Sequence, residues 1–260
     1  MDTNNTTIRF FGATACLFDK GDDTPNFLIN DKYLFDTGFS LISNLKNADV
    51  DPTSIKYLFF THMHHDHYMA LPQLLFYFLQ TGKKLEELTI IGPSADVERV
   101  TKNAMEFLDA KKFWKTEGPV VVSLDDFGTY ETEDMYFETI PAIHGVQAFS
   151  YRITDKRNGK VICATGDTGL NPNLDIFFSG CDTLIQEVSL GMSNNPLGGK
   201  NPHGHSAVCE AVNLAKNTGA KRLFFVHLSR SFKEQVYEYC KENNLNCEYS
   251  FPNLFEKYRV

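Results

Sequence analysis

The chain has 260 residues, 42% hydrophobic and 22% charged, which suits one large domain or two small ones and excludes a disordered or fibrous protein. Its 25 basic and 33 acidic residues leave a net charge of −8. That argues against a broad nucleic-acid footprint, which draws its affinity from clustered Lys and Arg, but leaves room for a local basic pocket.

From the N-terminus, short β-rich runs alternate with turn residues. Strands are expected over residues 8–11, 27–29, 33–35 and, after Asp51-Pro52, 55–60. A helix should follow the histidine-rich stretch at 61–68, with Pro72 in its first turn and Gly82 past its end. Residues 88–91 read as a strand, and Pro93-Ser94 opens a helix over about 95–109. The second half repeats the plan, with strands over 120–124, 135–142, 149–153, 161–164, 183–187 and 223–226. Lys156-Arg157-Asn158-Gly159 makes a hairpin turn, and helices are expected over 207–217, closed by Gly219, and over 232–243. Strands grouped within each half and followed by helices imply two sheets packed face to face with helices outside. No linker or low-complexity tract divides the chain, so residues 1–260 read as a single domain of two halves similar in plan, without a residue-level repeat.

The six cysteines form no C-x-x-C pair and read as reduced thiols of a cytoplasmic protein. The first ten residues show neither the basic nor the apolar region of a secretory signal. The longest apolar segment, 69–79, is interrupted by Pro72 and Gln73 and is too short to span a bilayer, so no membrane partner is expected.

The stretch THMHHDHY at 61–68 places four of the eight histidines within six residues, directly after an apolar run. In H-x-H-x-D-H, His62 and His64 are two apart and can point the same way on an extended or turning backbone. Asp66 and His67 are adjacent and can face a second position. Imidazole and carboxylate are the ligands that zinc and related divalent ions prefer, so one cluster can feed two metals. His144, Asp167 and His227 each stand just after a separate expected strand, and Asp167 is flanked by Gly166 and Gly169. Loops at one edge of a rigid scaffold are where sites are built.

With these residues in place the chain resembles the metallo-β-lactamase-fold hydrolases, in the ribonuclease Z-like phosphodiesterase branch. The order THMHHDHY, His144, Asp167 in GDTG and His227 in VHLS matches that superfamily over nearly the whole chain, and LFDTG at 34–38 matches its early strand-turn. The resemblance implies an α/β fold, a four-layer αββα sandwich of two mixed β-sheets flanked by helices, with two pseudo-symmetric halves. It implies His62, His64 and His144 on one metal, Asp66, His67 and His227 on the other, Asp167 bridging, and Asp36 supporting the metal loops from behind. It also implies that His205, in Gly204-His205-Ser206, is a general acid and that Glu187 orients it. A bland reading of His205 is a neighbour of an N-cap at Ser206.

Two divalent ions can hold a bridging hydroxide at neutral pH and clamp a phosphodiester for in-line attack. The leaving alkoxide needs a proton, the task of His205, while Asp66 can help orient the nucleophile. Zinc is the first expectation for the metal, with manganese or iron suited by the same ligands. Ribonuclease Z enzymes carry a long arm between the positions of His144 and Asp167 that grips transfer RNA, whereas here only 22 residues separate the two. The expected substrate is therefore a small or cyclic phosphodiester. Alternatives are a ribonuclease Z-like tRNA 3′-processing endonuclease, for which Lys111, Lys112, Lys115, Lys156, Arg157 and Lys160 are the local cations, or a lactone or thioester hydrolase of the same fold.

Four features stay open on the sequence. Arg230 falls three residues after His227, one earlier than the branch pattern. Residues 190–204, rich in Gly, Asn and Pro, read as a lid delivering His205 or as a plain loop. Residues 107–114, with the only tryptophan, cover the site or form a homodimer contact. His65 and His203 carry no assigned role.

Overall fold

The structure, a computed structural model, describes residues 5–193 and 204–260. In chain order the first half holds β1 (Thr7–Gly12), β2 (Asn26–Ile29), β3 (Tyr33–Phe35), α1 (Leu41–Asn47), β4 (Tyr57–Phe59) and α2 (His65–Tyr68). It continues with α3 (Leu71–Gln80), β5 (Thr89–Pro93), α4 (Val97–Phe107), α5 (Ala110–Trp114) and β6 (Val120–Leu124). The second half holds β7 (Thr129–Glu131), β8 (Met135–Pro141), β9 (Phe149–Asp155), β10 (Val161–Ala164), α6 (Leu174–Phe177) and β11 (Thr183–Glu187). Then come α7 (Val208–Thr218), β12 (Arg222–Val226), α8 (Lys233–Glu242), β13 (Glu248–Ser250) and β14 (Lys257–Arg259).

These strands form two seven-stranded mixed sheets, ordered β14-β1-β2-β3-β4-β5-β6 and β13-β12-β11-β10-β9-β8-β7. In each, hairpin-linked antiparallel strands give way to parallel ones: β3 to β6 in the first and β10 to β13 in the second. The switch is a consequence of connection length, because only a helical crossover lets the chain return in the same direction.

Side-chain alternation sorts the apolar residues into layers. Tyr33, Phe35, Phe59 and Ile91 face the second sheet, where they meet Phe137, Phe149, Tyr151 and Phe224. Their strand neighbours Leu34, Leu58 and Ile90 face the helices on the outside of the first sheet. In the second sheet Cys163, Leu184, Leu223 and Phe225 face the α6, α7 and α8 side, while Ile162, Ile185 and Phe224 face inward. The result is the four-layer αββα sandwich.

Helix α3 shows the same logic at period 3.6: Leu71, Leu74, Leu75 and Phe78 are buried on one stripe, and Pro72 sits in the first turn. The helix expected over 95–109 divides into α4 and α5, because Asp109 takes a left-handed φ of 49° and the chain turns there. The strand expected over 55–60 shortens at its start, where Ile55 closes a 3-10 turn over Pro52–Ser54. At 207–217 the N-cap is Ala207, with the Glu210 carboxylate accepting from its N–H; Ser206 instead donates its hydroxyl to the Thr168 carbonyl.

Candidate metal centre

Strands β3 and β4 run parallel in one sheet, and β10, β11 and β12 run parallel in the other. Their carboxyl ends carry Asp36, Thr61-His62, Asp167, Glu187 and His227 in turn. Strand β8 is antiparallel to β9, which is antiparallel to β10, so β8 ends on the same side and His144 follows it. In open α/β sheets this is the edge where ligands bind. Three contacts lock the two sheet edges together there. The His227 N–H donates to the Ala13 carbonyl at 2.7 Å, the Phe149 N–H to Thr61 at 2.9 Å, and the Tyr151 hydroxyl to Phe60 at 2.8 Å. Asp36 and His227 both hold left-handed φ values, 53° and 64°, which non-glycine residues adopt only where the surroundings over-determine them.

The predicted donors converge. His62 Nε2 and His144 Nε2 each lie 3.0 Å from His64 Nδ1. Asp66, His67 and His227 form a second group. Asp167 Oδ2 stands between the groups, 3.8 Å from His62 Nε2, 3.6 Å from His67 Nε2 and 3.4 Å from His227 Nε2.

The far nitrogen of each ring fixes which atom faces inward. His144 Nδ1 donates to the Gly204 carbonyl at 2.9 Å, and His67 Nδ1 to Asp36 Oδ2 at 2.9 Å. The Thr61 hydroxyl gives its single proton to Asp36 Oδ2 and so accepts from His62 Nδ1 at 3.1 Å. The Ser189 oxygen, 2.6 Å from His227 Nδ1, does the same for that ring, so the Nε2 lone pairs of His62, His67, His144 and His227 point at one another and at carboxylates. A proton on His64 Nδ1 serves only one of its two imidazole neighbours, and His67 Nε2 and His227 Nε2 are buried with no hydrogen-bond partner among the described residues. Buried acceptors gathered this closely are costly unless a cation satisfies them. The donor set fits divalent metal, with the carboxylate and hydroxyl partners behind it that metal-binding histidines use.

Charge reinforces the geometry. Burial works to raise the Asp167 carboxyl, yet His227 and His67 hold it well below the usual carboxylate range. Burial works against a charge on His67 and His227, but the Asp167 carboxylate leaves both above the ordinary imidazole value. His62 goes the other way: burial, then His67 beside it, push it well below that value. A neutral ring on one side and an acid-rich pocket on the other is an arrangement that favours cations.

Beside these groups stands the pair Glu187 and His205. His205 Nδ1 lies 3.2 Å from Glu187 Oε1, which also accepts from the Ser206 N–H at 2.8 Å and the Thr168 N–H at 3.2 Å. Burial disfavours a charged His205, but the Glu187 contact raises it above the usual imidazole value. Gly204 brings this segment in. Its φ is 63°, and a Cβ there would sit 2.4 Å from the Ile143 carbonyl oxygen, so no other residue fits without moving the backbone that carries His144.

Other predicted residues fall elsewhere. His65 is exposed, packed beside Tyr68. His203 and most of the 190–204 segment lie outside the described residues. The Arg230 guanidinium donates to Asp22 at 2.6 Å and to the Pro252 carbonyl at 2.7 Å. Trp114 packs edge-on against Phe76, and Phe107 and Phe113 are exposed nearby. Sequence reasoning missed Thr61 and Ser189 as partners of histidines. The one available signal was position, each hydroxyl standing within two residues of a named site residue.

An imidazole and carboxylate donor set at the strand ends of an αββα sandwich defines a metal-dependent hydrolase. The chain belongs to the Beta-lactamase superfamily domain family, which matches residues 31–228. It is 24% identical to the ribonuclease Z of Ligilactobacillus salivarius over 250 residues, covering 77% of each protein. Its fold is similar to the metallo-beta-lactamase fold protein YhfI of Bacillus subtilis, with a TM-score of 0.80 and 20% identity over 98% of this chain and 99% of that one. It is also similar to yeast PDE1, with a TM-score of 0.72 and 15% identity over 98% of this chain and 99% of that one. No helix among the described residues is long and apolar enough to cross a membrane.

Proposed function

We propose that this protein is a two-metal phosphodiesterase that cleaves small or cyclic phosphodiesters. His62, His64 and His144 would hold one divalent ion and Asp66, His67 and His227 the other, with Asp167 shared; zinc is the first choice, and manganese or iron suit the same donors. Bound there, divalent ions supply Lewis acidity, lowering the pKa of a water and offsetting charge on a phosphoryl group.

The chain's own residues do the rest. Asp66, at the mouth of the second group, orients the attacking water. His205 donates a proton from Nε2 to the leaving oxygen. Glu187 fixes the ring by accepting from Nδ1 and favours its protonated form. The observation that carries the reading is this acid pair standing against the metal donors, with His205 Nδ1 3.8 Å from Asp167 Oδ2. A poor alkoxide leaving group needs such an acid, whereas a lactone or thioester needs it far less.

A transfer-RNA substrate has support in the ribonuclease Z relative. Against it stands the short β9–β10 hairpin, where the Asp155 N–H closes the turn onto Lys160. Four of the six local cations are also engaged: Lys111 with Glu117, Lys156 with Glu131, Arg157 with Asp155 and Lys160 with Asp182.

The test is a substrate panel on metal-loaded protein: bis-(p-nitrophenyl) phosphate, a cyclic nucleotide, an alkyl diester, a lactone and a tRNA precursor. Diester turnover is expected, and His205→Ala should lower it by about 10²–10⁴-fold on the alkyl diester. Lactone cleavage without diester turnover, or a His205→Ala variant as active as wild type on the alkyl diester, overturns the reading.

A further inference from the structure

The Glu187 carboxylate has a second oxygen, and it leads away from His205. Glu187 Oε2 accepts from the Ser189 hydroxyl at 2.8 Å and from the Ser189 N–H at 2.8 Å. The Ser189 oxygen lies 2.6 Å from His227 Nδ1. A serine has one hydroxyl proton, and a carboxylate takes it, so the serine oxygen must accept and His227 Nδ1 must donate. His227 is thereby held with its proton on the far nitrogen and its Nε2 lone pair toward Asp66 and Asp167, 3.4 Å from each.

The same device stands on the other sheet. Asp36 accepts from the Thr61 hydroxyl at 2.8 Å, and Thr61 accepts from His62 Nδ1 at 3.1 Å. In both cases a buried carboxylate at a strand end acts through one hydroxyl on a histidine that has no direct contact with it. His227 needs the help more than most residues do, because its φ of 64° is unfavourable; its N–H is tied to the Ala13 carbonyl.

We infer that Ser189 is a positioning residue for the second metal, setting the tautomer and direction of His227, and that Glu187 holds the proton donor with one oxygen and this ligand with the other. The inference rests on the two-metal reading above. It goes further in assigning Ser189 a task and in making the acid and the second metal share one support. Removing the hydroxyl frees His227 to rotate or to carry its proton on Nε2, where it opposes metal. Removing the Glu187 charge disturbs both branches at once.

The experiment is zinc titration of chelator-stripped protein against a chromophoric competitor, without substrate, for wild type and Ser189→Ala, Ser189→Cys and Ser189→Thr. Wild type should take two equivalents. Ser189→Ala should take the first with unchanged affinity and the second about 10–100-fold more weakly. Ser189→Cys, similar in size but a poor acceptor, should behave like alanine and serves if alanine does not fold. Ser189→Thr should restore the second equivalent, and the cobalt-loaded absorption spectrum should change with the second equivalent only. If wild type takes two equivalents and the alanine or cysteine variant does the same with equal affinity, the inference fails alone. It also fails if threonine is as weak as alanine. A wild type that takes fewer than two overturns the two-metal reading and this inference with it.

Discussion

Below their titration range His67 and His227 each carry a second proton, on Nε2, and a cation entering the second group must displace it. Burial disfavours those protons, but Asp167 beside both rings, with Asp36 behind His67, raises their retention above the ordinary imidazole value. The sign follows. Below the raised values both rings are charged and compete with metal; above them they are neutral and bind it. Apparent affinity should therefore fall as pH drops, by about tenfold per unit for each proton displaced. Zinc competition between pH 8 and pH 6 measures this, and a flat profile would show that other groups hold the ion. Gly204→Ala tests the neighbouring backbone. The added Cβ overlaps the Ile143 carbonyl and sits at a φ of 63°, so a loss of more than about 1 kcal/mol is expected in urea unfolding, with weaker metal uptake at the His144 group. At this scale the histidines and aspartates were legible because their types carry the chemistry and their motif is dense. Thr61 and Ser189 were not. A hydroxyl acquires its role only when a carboxylate and an imidazole from other segments close on it, and that depends on which strands become neighbours.

Between residue and whole lies the aromatic layer that joins the sheets. Phe59 on β4 stacks on Phe35 at 5.0 Å and on Phe137 of the other sheet at 4.2 Å, two residues before Thr61. Phe59→Ala should cost about 3–5 kcal/mol, since the cavity falls where both sheets are rigid. Urea unfolding reads that number, and a loss under 1 kcal/mol would show that the layer can collapse around the gap. The long strands and α3, α4, α7 and α8 were readable because their apolar periods are strong. Helices α1 and α6 and strands β7, β13 and β14 were not. Each of these strands has three residues with exposed charges among them, as in Lys257–Arg259, and forms only because a neighbour offers an edge. The break between α4 and α5 was equally hidden, because an aspartate in a left-handed turn leaves no mark on a helical pattern.

For the molecule as a whole, the charges gathered at the sheet edges couple metal binding to stability. Asp167 and the inward nitrogens of five histidine rings are gathered between the sheet edges, which the contacts of His227 with Ala13, Phe149 with Thr61 and Tyr151 with Phe60 hold together. Metal that binds only the folded chain adds RT ln(1 + [L]/Kd), about 4 kcal/mol at a thousandfold excess over Kd. For a chain of this length that corresponds to a rise in melting temperature of about 8–16 °C, at about 2–4 °C per kcal/mol. The rise should grow with the logarithm of free zinc and vanish with a chelator. It should also shrink at pH 6, where His67 and His227 retain protons. Thermal melts at fixed pH across a zinc series measure all three. A melting temperature indifferent to zinc would mean that the converging side chains satisfy one another without an ion, which their unpaired Nε2 atoms argue against.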